Sequence, residues 1–250
     1  MPTLTHLYRH PIKSHGFEAL KSVMLAAGQT MPYDRRWAVA NERAKTDGTA
    51  WAPCANFTRG AAHPALMAVT ARMHDDGETI TLSHPDRKDF TFQPDDTRQL
   101  TGFLAWVQPL MDTTRTLPSH IVRVDGRGMT DTDFPSISIN SHASHRALGD
   151  AAGADLSPLR FRANLWIDGL DPWQEFDWIG QEIAVGDVRL KIEERIGRCK
   201  ATMSNPTTGM HDVDTLKTLR THWGHTDFGV YATVIQGGAV TVDDAVRVIT

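Results

Sequence analysis

In the stretch ERIGRCKATMSNPTTG, Cys199 stands between Arg198 and Lys200, after a glycine and ahead of a threonine-rich turn. A cysteine that serves packing alone has apolar neighbours; this one has two cations. Such flanks lower the pKa of a thiol and favour a nucleophile or a ligand for a soft metal. The plainer alternative is a solvent-facing loop thiol with accidental basic neighbours, and these residues alone do not choose between the two. The other cysteine, Cys54, lies among apolar residues in WAPCANF and reads as a buried, inert thiol.

A second set combines cations and small hydroxyl residues near expected strand ends: Lys13 with Ser14, Arg35 with Arg36, Ser141, Arg162 and Arg198. Cations, hydroxyls and free backbone N–H groups together hold phosphate. These residues are scattered along the chain, so they form a site only if the fold gathers them. His142 and His145, and likewise His222 and His225, have the spacing of one helix face. Zinc needs two further ligands at suitable spacing, and neither C-x-x-C nor H-E-x-x-H occurs. Twelve histidines produce such pairs by chance. The nucleophile elbow Gly-x-Ser-x-Gly, the phosphate loop Gly-x-x-x-x-Gly-Lys and the dinucleotide signature Gly-x-Gly-x-x-Gly are absent as well.

The elements that must position these residues are mostly strands. In VRLKIE, Val188, Leu190 and Ile192 alternate with charged residues, the pattern of a half-buried strand. Gly186–Asp187 between EIAV and that strand predicts a two-residue hairpin. LMAVTAR and TITLS around HDDGE predict another. At the C-terminus VYATVI, AVTV and AVRVI, separated by Gly237–Gly238 and Asp243–Asp244, read as an antiparallel meander. Three helices are expected. One lies in QLTGFLAWVQPLM. A second, in INSHASHRALG, is capped by Asn140 or Ser141 and stopped at Gly149. The third, in DVDTLKTLRTHW, is capped by Asp212 or Asp214, with Leu216 and Leu219 facing inward.

A chain of 250 residues with 40% hydrophobic and 22% charged residues can bury a substantial core. A net charge of −4 gives no reason to expect nucleic acid, though it leaves room for a local basic pocket. MPTLTHLYRHPIKS lacks the basic-then-apolar pattern of a signal peptide, and no stretch approaches the ~20 apolar residues of a membrane helix. Two cysteines make no disulfide framework, so the expected setting is a reducing cytoplasm, away from membranes. The fold class is mainly β (α+β): two β-barrel-like halves, residues 1–118 and 119–250, with a few short helices. Closing such sheets into barrels removes their exposed edges.

Taken together, these stretches resemble one family. LYRHPIKSHG and YDRRWAVAN are similar to the N-terminal β-barrel domain that accompanies MOSC domains. FRANLWIDG, IGQEIAVGDVRLKIEERIGRCKAT, NPTTG, TLKTLR and DFGVYATVIQGGAVTVDDAVRV resemble, in order and spacing, the MOSC domain itself. The resemblance is thin between about residues 45 and 120. It implies a molybdenum cofactor, a pterin with a dithiolene and a terminal phosphate, bound through a Cys199 thiolate that is both metal ligand and catalytic residue. Lys13, Ser14, Arg35, Ser141, Arg162, Asn164, Arg198 and Tyr231 are then the cofactor-binding residues. Relatives of this layout include amidoxime-reducing components, which reduce N-hydroxylated compounds, and the C-terminal part of the cofactor sulfurase.

The resemblance therefore implies an oxidoreductase for a small N-hydroxylated substrate. With no cysteine set for an iron–sulfur cluster, its electrons must come from a partner such as a flavin reductase, a ferredoxin or a cytochrome b5-like protein. The alternative is a sulfur-carrier or cofactor-handling module, with a persulfide on Cys199 received from a cysteine desulfurase. Pyridoxal phosphate is not expected, because it belongs to the desulfurase part of the sulfurase. The chain departs from the family pattern at His10, at His15, and at Asn205–Pro206–Thr207–Thr208–Gly209, where relatives carry Asp-Pro-Asp-Thr-Gly. A further departure is Val242–Asp243–Asp244, in place of Val-Gly-Asp.

Overall fold

The computed structural model describes residues 1–249. Strands β1 (Thr3–Arg9), β2 (Glu18–Leu20), β3 (Ser22–Leu25) and β4 (Ala38–Asn41) come first. A three-stranded sheet follows, from β5 (Thr70–Met73) through β6 (Ile80–His84) to β7 (Arg87–Phe92). Its first hairpin pairs Met73 with Ile80 around the expected turn. Helix α1 (Leu100–Val107) covers this sheet, burying Phe103, Trp106 and Val107 in a core with Phe92, Leu82 and Trp37.

The second half contributes β8 (Pro118–Val122), β9 (Ile137–Ser141), α2 (His142–Ala152), β10 (Leu165–Asp168), β11 (Glu182–Val185) and β12 (Val188–Gly197). Then come α3 (Thr215–Trp223), β13 (Asp227–Gln236), β14 (Gly238–Thr241) and β15 (Val246–Ile249). The protein is mostly β, with a curled half-barrel sheet and short helices, as the sequence led us to expect. Eight strands form that sheet in the order β15–β11–β12–β13–β9–β10–β1–β2. Its curl brings the two chain ends together: Val246 N donates to Pro2 O at 2.8 Å and Leu4 N to Asp244 O at 2.9 Å.

Alternation explains the sheet. Val188, Leu190 and Ile192 of β12 are buried, and the charged residues between them are not. The hairpin at Gly186–Asp187 forms as expected, pairing Val185 with Val188, with Gly186 at φ +57°. Strand β9 is buried on both faces: Ile137 and Ile139 enter the hydrophobic core, while Ser138 and Asn140 are buried polar groups.

Two expectations need correction. The last three strands are not a meander, because β14 pairs with β3 and β15 with β11. Both edges of β13 are already taken by β12 and β9, so the chain after Gln236 must pair elsewhere. Helix α2 does not stop at Gly149 but continues to Ala152 and ends at Gly153, whose φ of +64° supplies the left-handed cap. Its N-cap is Ser141, whose hydroxyl accepts from the Ala143 and Ser144 N–H groups. In α3 the cap is Asp214, accepting from Lys217 N, and Leu216 and Leu219 are buried as expected.

Candidate functional site

Strand β12 carries the chain to Gly197, and Cys199 follows in extended conformation as the N-cap of a 3-10 turn, Lys200–Met203. The Cys199 carbonyl accepts from Thr202 N at 3.2 Å and Thr202 Oγ1 at 3.1 Å. Thr202 Oγ1 in turn meets Thr215 Oγ1 at 2.7 Å, tying the turn to the first residue of α3. Cys199 is exposed and lies on the wall of a cavity of about 240 Å³.

That cavity also collects Lys13, Ser14, Arg35, Arg162, Asn164, Arg198 and Tyr231, which the sequence leaves as much as 218 positions apart (231 − 13). Three of them, Ser14 (φ +63°), Arg35 (φ +48°) and Arg162 (φ +49°), have left-handed backbones. A non-glycine residue there costs on the order of 1 kcal/mol, and such strain gathers where function demands a geometry. The surroundings hold it in place. Arg35 N donates to His10 O, Met129 N donates to Arg35 O, and Lys13 N donates to Trp37 O, all within 2.8 Å.

Electrostatics divide these residues by role. Arg198 donates to Phe228 O, to Phe161 O and to Asn140 Oδ1, at 2.5–2.9 Å, and lies over the Phe161 and Phe228 rings. It pins the strand end beneath Cys199. Asn164 Oδ1 accepts from Ser138 N, Ser138 Oγ and Arg35, so it ties β9 to the cation above it. Arg35 is ion-paired with buried Asp34 at 2.5 Å and donates to Arg162 O at 2.8 Å. Lys13, itself buried, donates to Met129 O at 2.9 Å and pairs with Asp131.

The titrations follow. Burial and then the neighbouring Arg35 push Arg162 down to about 9. Burial pushes Arg198 down to about 10. His10, enclosed between Arg35 and Arg162, falls to about 3, chiefly through burial, and is neutral. Partial loss of solvation pushes Asp131 up although its side chain stays exposed, but Lys13 together with Arg35 and Arg162 outweighs it and holds the carboxyl at about 2. Burial raises the Tyr231 phenol, which keeps its proton.

Not every expected residue arrives. Ser141 is fully buried and spends its hydroxyl as the cap of α2, away from the cavity wall. Cys54 corrects the opposite way. It is half-buried, not sealed in a core, and it lines the cavity with Arg59 at 3.5 Å from its sulfur. Its apolar sequence neighbours gave no hint of this, because a 3-10 turn, Cys54–Asn56, has no buried residue of its own. Asp34, Asp131, Ser138 and Arg160 were also missed. Ser138 was legible in principle, as the polar member of the alternation in SISINS. His145 packs edgewise on Trp166, and His142 tilts over the same ring. Among the described residues no three His, Cys, Asp or Glu side chains gather to hold an ion.

The donor set fits an anionic group that carries a soft metal. Six cations, Lys13, Arg35, Arg59, Arg160, Arg162 and Arg198, line the cavity against the carboxylate of Asp131, with Asp34 and Asp212 paired to Arg35 and Arg160 beside it, so the cavity holds excess positive charge. Lys13 uses two of its three ammonium hydrogens, and among the described residues the Arg162 side chain makes one protein hydrogen bond, to Gly16 O at 3.0 Å. Phosphate is the natural acceptor for what is left. Cys199 supplies the soft donor on the same wall.

Comparison with known proteins shows the family. The chain is 36% identical over 92 residues to the molybdenum cofactor sulfurase of Drosophila grimshawi, a match over 36% of this chain and 12% of that one. It is 30% identical over 130 residues to mitochondrial amidoxime-reducing component 1 of Xenopus laevis, over 47% of this chain and 37% of that one. The molybdenum cofactor sulfurase of Caenorhabditis briggsae matches at 25% identity over 92% of this chain and 33% of its own. The chain thus spans between about an eighth and about a third of these relatives. Among solved structures, the YUAD protein from Bacillus subtilis superposes over 99% of this chain and 96% of its own, with a TM-score of 0.48 and 14% identity. Family profiles match almost end to end: a MOSC N-terminal beta barrel domain over residues 1–116 and a MOSC domain over residues 129–247. The MOSC family is associated with the molybdenum cofactor, and this chain belongs to it.

Proposed function

We propose that the protein binds the molybdenum cofactor and reduces N–O bonds of small N-hydroxylated compounds with electrons from a partner protein. The observation that carries this reading is the cavity itself, where an exposed thiol shares a wall with a positively charged, strained floor. Lys13, Ser14, Arg35 and Arg162 hold the phosphate and pterin end, and the Cys199 thiolate ligates the metal. When bound, the group supplies a redox centre able to take up oxygen. Reduction of an amidoxime consumes two electrons and two protons and releases an amidine and water. Asn164, Asn140 and Arg198 keep the binding groups in register. Likeness to an amidoxime-reducing component supports this reading.

The test is reduction of benzamidoxime by molybdenum-loaded protein with chemically reduced viologen as electron source. Turnover in the wild type and none in Cys199→Ser is expected. Fully loaded protein that reduces no amidoxime, hydroxamic acid or N-oxide would overturn the proposal. A second reading draws on the exposure of Cys199 and on the likeness to cofactor sulfurases: the thiol carries a persulfide for cofactor sulfuration. Protein that purifies without metal but with cyanide-labile sulfur on Cys199 would favour it.

A further inference from the structure

Among the cations on the cavity wall, Arg59 stands apart. Lys13, Arg35, Arg160 and Arg198 each meet a carboxylate or a protein oxygen. Among the described residues the Arg59 side chain has one hydrogen-bond partner, the Cys54 sulfur at 3.5 Å. Its side chain is exposed, but its backbone is fixed: the Arg59 carbonyl accepts from Ala62 N and His63 N, both at 2.9 Å. The next residue shows which end of the cavity this is. A Cβ on Gly60 would lie 3.6 Å from Ala201 Cβ and 2.5 Å from Met67 Sδ. Arg59 therefore enters the cavity wall next to the residue that packs beside the turn beginning at Cys199. The wall around it, Gly60, Ala61 and Met67, is small and apolar.

A guanidinium with no carboxylate or oxygen partner among the described residues, beside an apolar wall of the cavity that Cys199 also lines, is a selector for substrates with an apolar body and an anionic end. We infer that Arg59 recognises a carboxylate on the substrate, so that the substrates are N-hydroxylated compounds bearing a carboxylate. This rests on the reading of the site as an N–O reductase and narrows its substrate class.

Two compounds that differ only in that group test it: benzamidoxime and 4-carboxybenzamidoxime. With reduced viologen as electron source, the wild type is expected to show the lower KM for the carboxylate. Arg59→Gln should raise that KM about 10-fold with little change in kcat, and leave the benzamidoxime KM within about 2-fold. Arg59→Lys should retain part of the preference. Equal KM responses of the two compounds to Arg59→Gln, or no carboxylate preference in the wild type, would overturn the inference while leaving the reductase reading intact. Calorimetric titration of 4-carboxybenzamidoxime into the same proteins separates the two claims. If neither compound is reduced but carboxylate-dependent binding is lost in Arg59→Gln, the reductase reading fails and Arg59 remains an anion site. No binding difference between wild type and Arg59→Gln overturns the inference whatever the turnover.

Discussion

The carbonyl of Arg162 accepts from the Arg35 guanidinium at 2.8 Å, while the Arg162 guanidinium lies in the same cavity and is pushed down to about 9 by burial and by that neighbour. Two arginines are thus held together by backbone against their own repulsion, on backbones that are both left-handed. Such an arrangement is stable only at a cost, and an anion placed between them relieves it.

Cofactor-free protein should therefore be stabilised by inorganic pyrophosphate. A rise in Tm of several degrees at millimolar pyrophosphate, absent with chloride at equal ionic strength, is expected in a thermal melt. Arg162→Met should abolish this response without lowering the Tm of the cofactor-free protein. A Tm that responds identically in both proteins would contradict the assignment.

Glycine at 229 has a specific cause. Its φ is +76°, and a Cβ there would land on Asn140 Oδ1 and lie 2.5 Å from Ile139 O. Since Asn140 Oδ1 accepts from Arg198 at 2.9 Å, Gly229→Ala should disturb the strand end that presents Cys199. A loss of about 3 kcal/mol or more in chemical denaturation is expected. The milder Asn140→Ala should cost about 2 kcal/mol and lower metal retention while the fold persists. Unchanged metal content in a folded Asn140→Ala protein would remove Asn140 from the positioning role.

Glu175 offers a pH test remote from the cavity. The residue is fully buried, Oε2 accepts from Ser144 Oγ at 2.8 Å, and Oε1 has no hydrogen-bond partner. Burial raises its carboxyl from 4.5 to about 7. The folded state therefore binds this proton more tightly than the unfolded chain. Its contribution is fully present below pH 4.5 and is lost as the pH rises through about 7, amounting to roughly 3 kcal/mol at most. Between pH 5 and 8 wild-type stability should fall with a slope that Glu175→Gln removes. Identical slopes in urea melts of the two proteins would refute this.

The sequence shows the strands well because alternation is a local property: β12 and its Gly186 hairpin could be read residue by residue. Pairing partners were less legible. Nothing local in AVTV states that its partner is Ser22–Leu25, since that depends on both edges of β13 being occupied. Cys199 could be singled out by its flanking cations, but the convergence of Lys13, Arg35 and Arg162 is a product of long-range topology. Ser141 misled because one serine can serve an anion or cap a helix, and here α2 takes it. Cys54 and Arg59 reach the cavity through a loop whose composition carries no signal, so only the fold reveals them.

The most direct measurement is molybdenum per chain by elemental analysis, with oxidised-pterin fluorescence, on wild type and Cys199→Ser made in a cofactor-competent host. The account predicts near-stoichiometric metal and pterin in the wild type, with metal lost in the variant. Wild-type protein that carries neither metal nor pterin from such a host would contradict it.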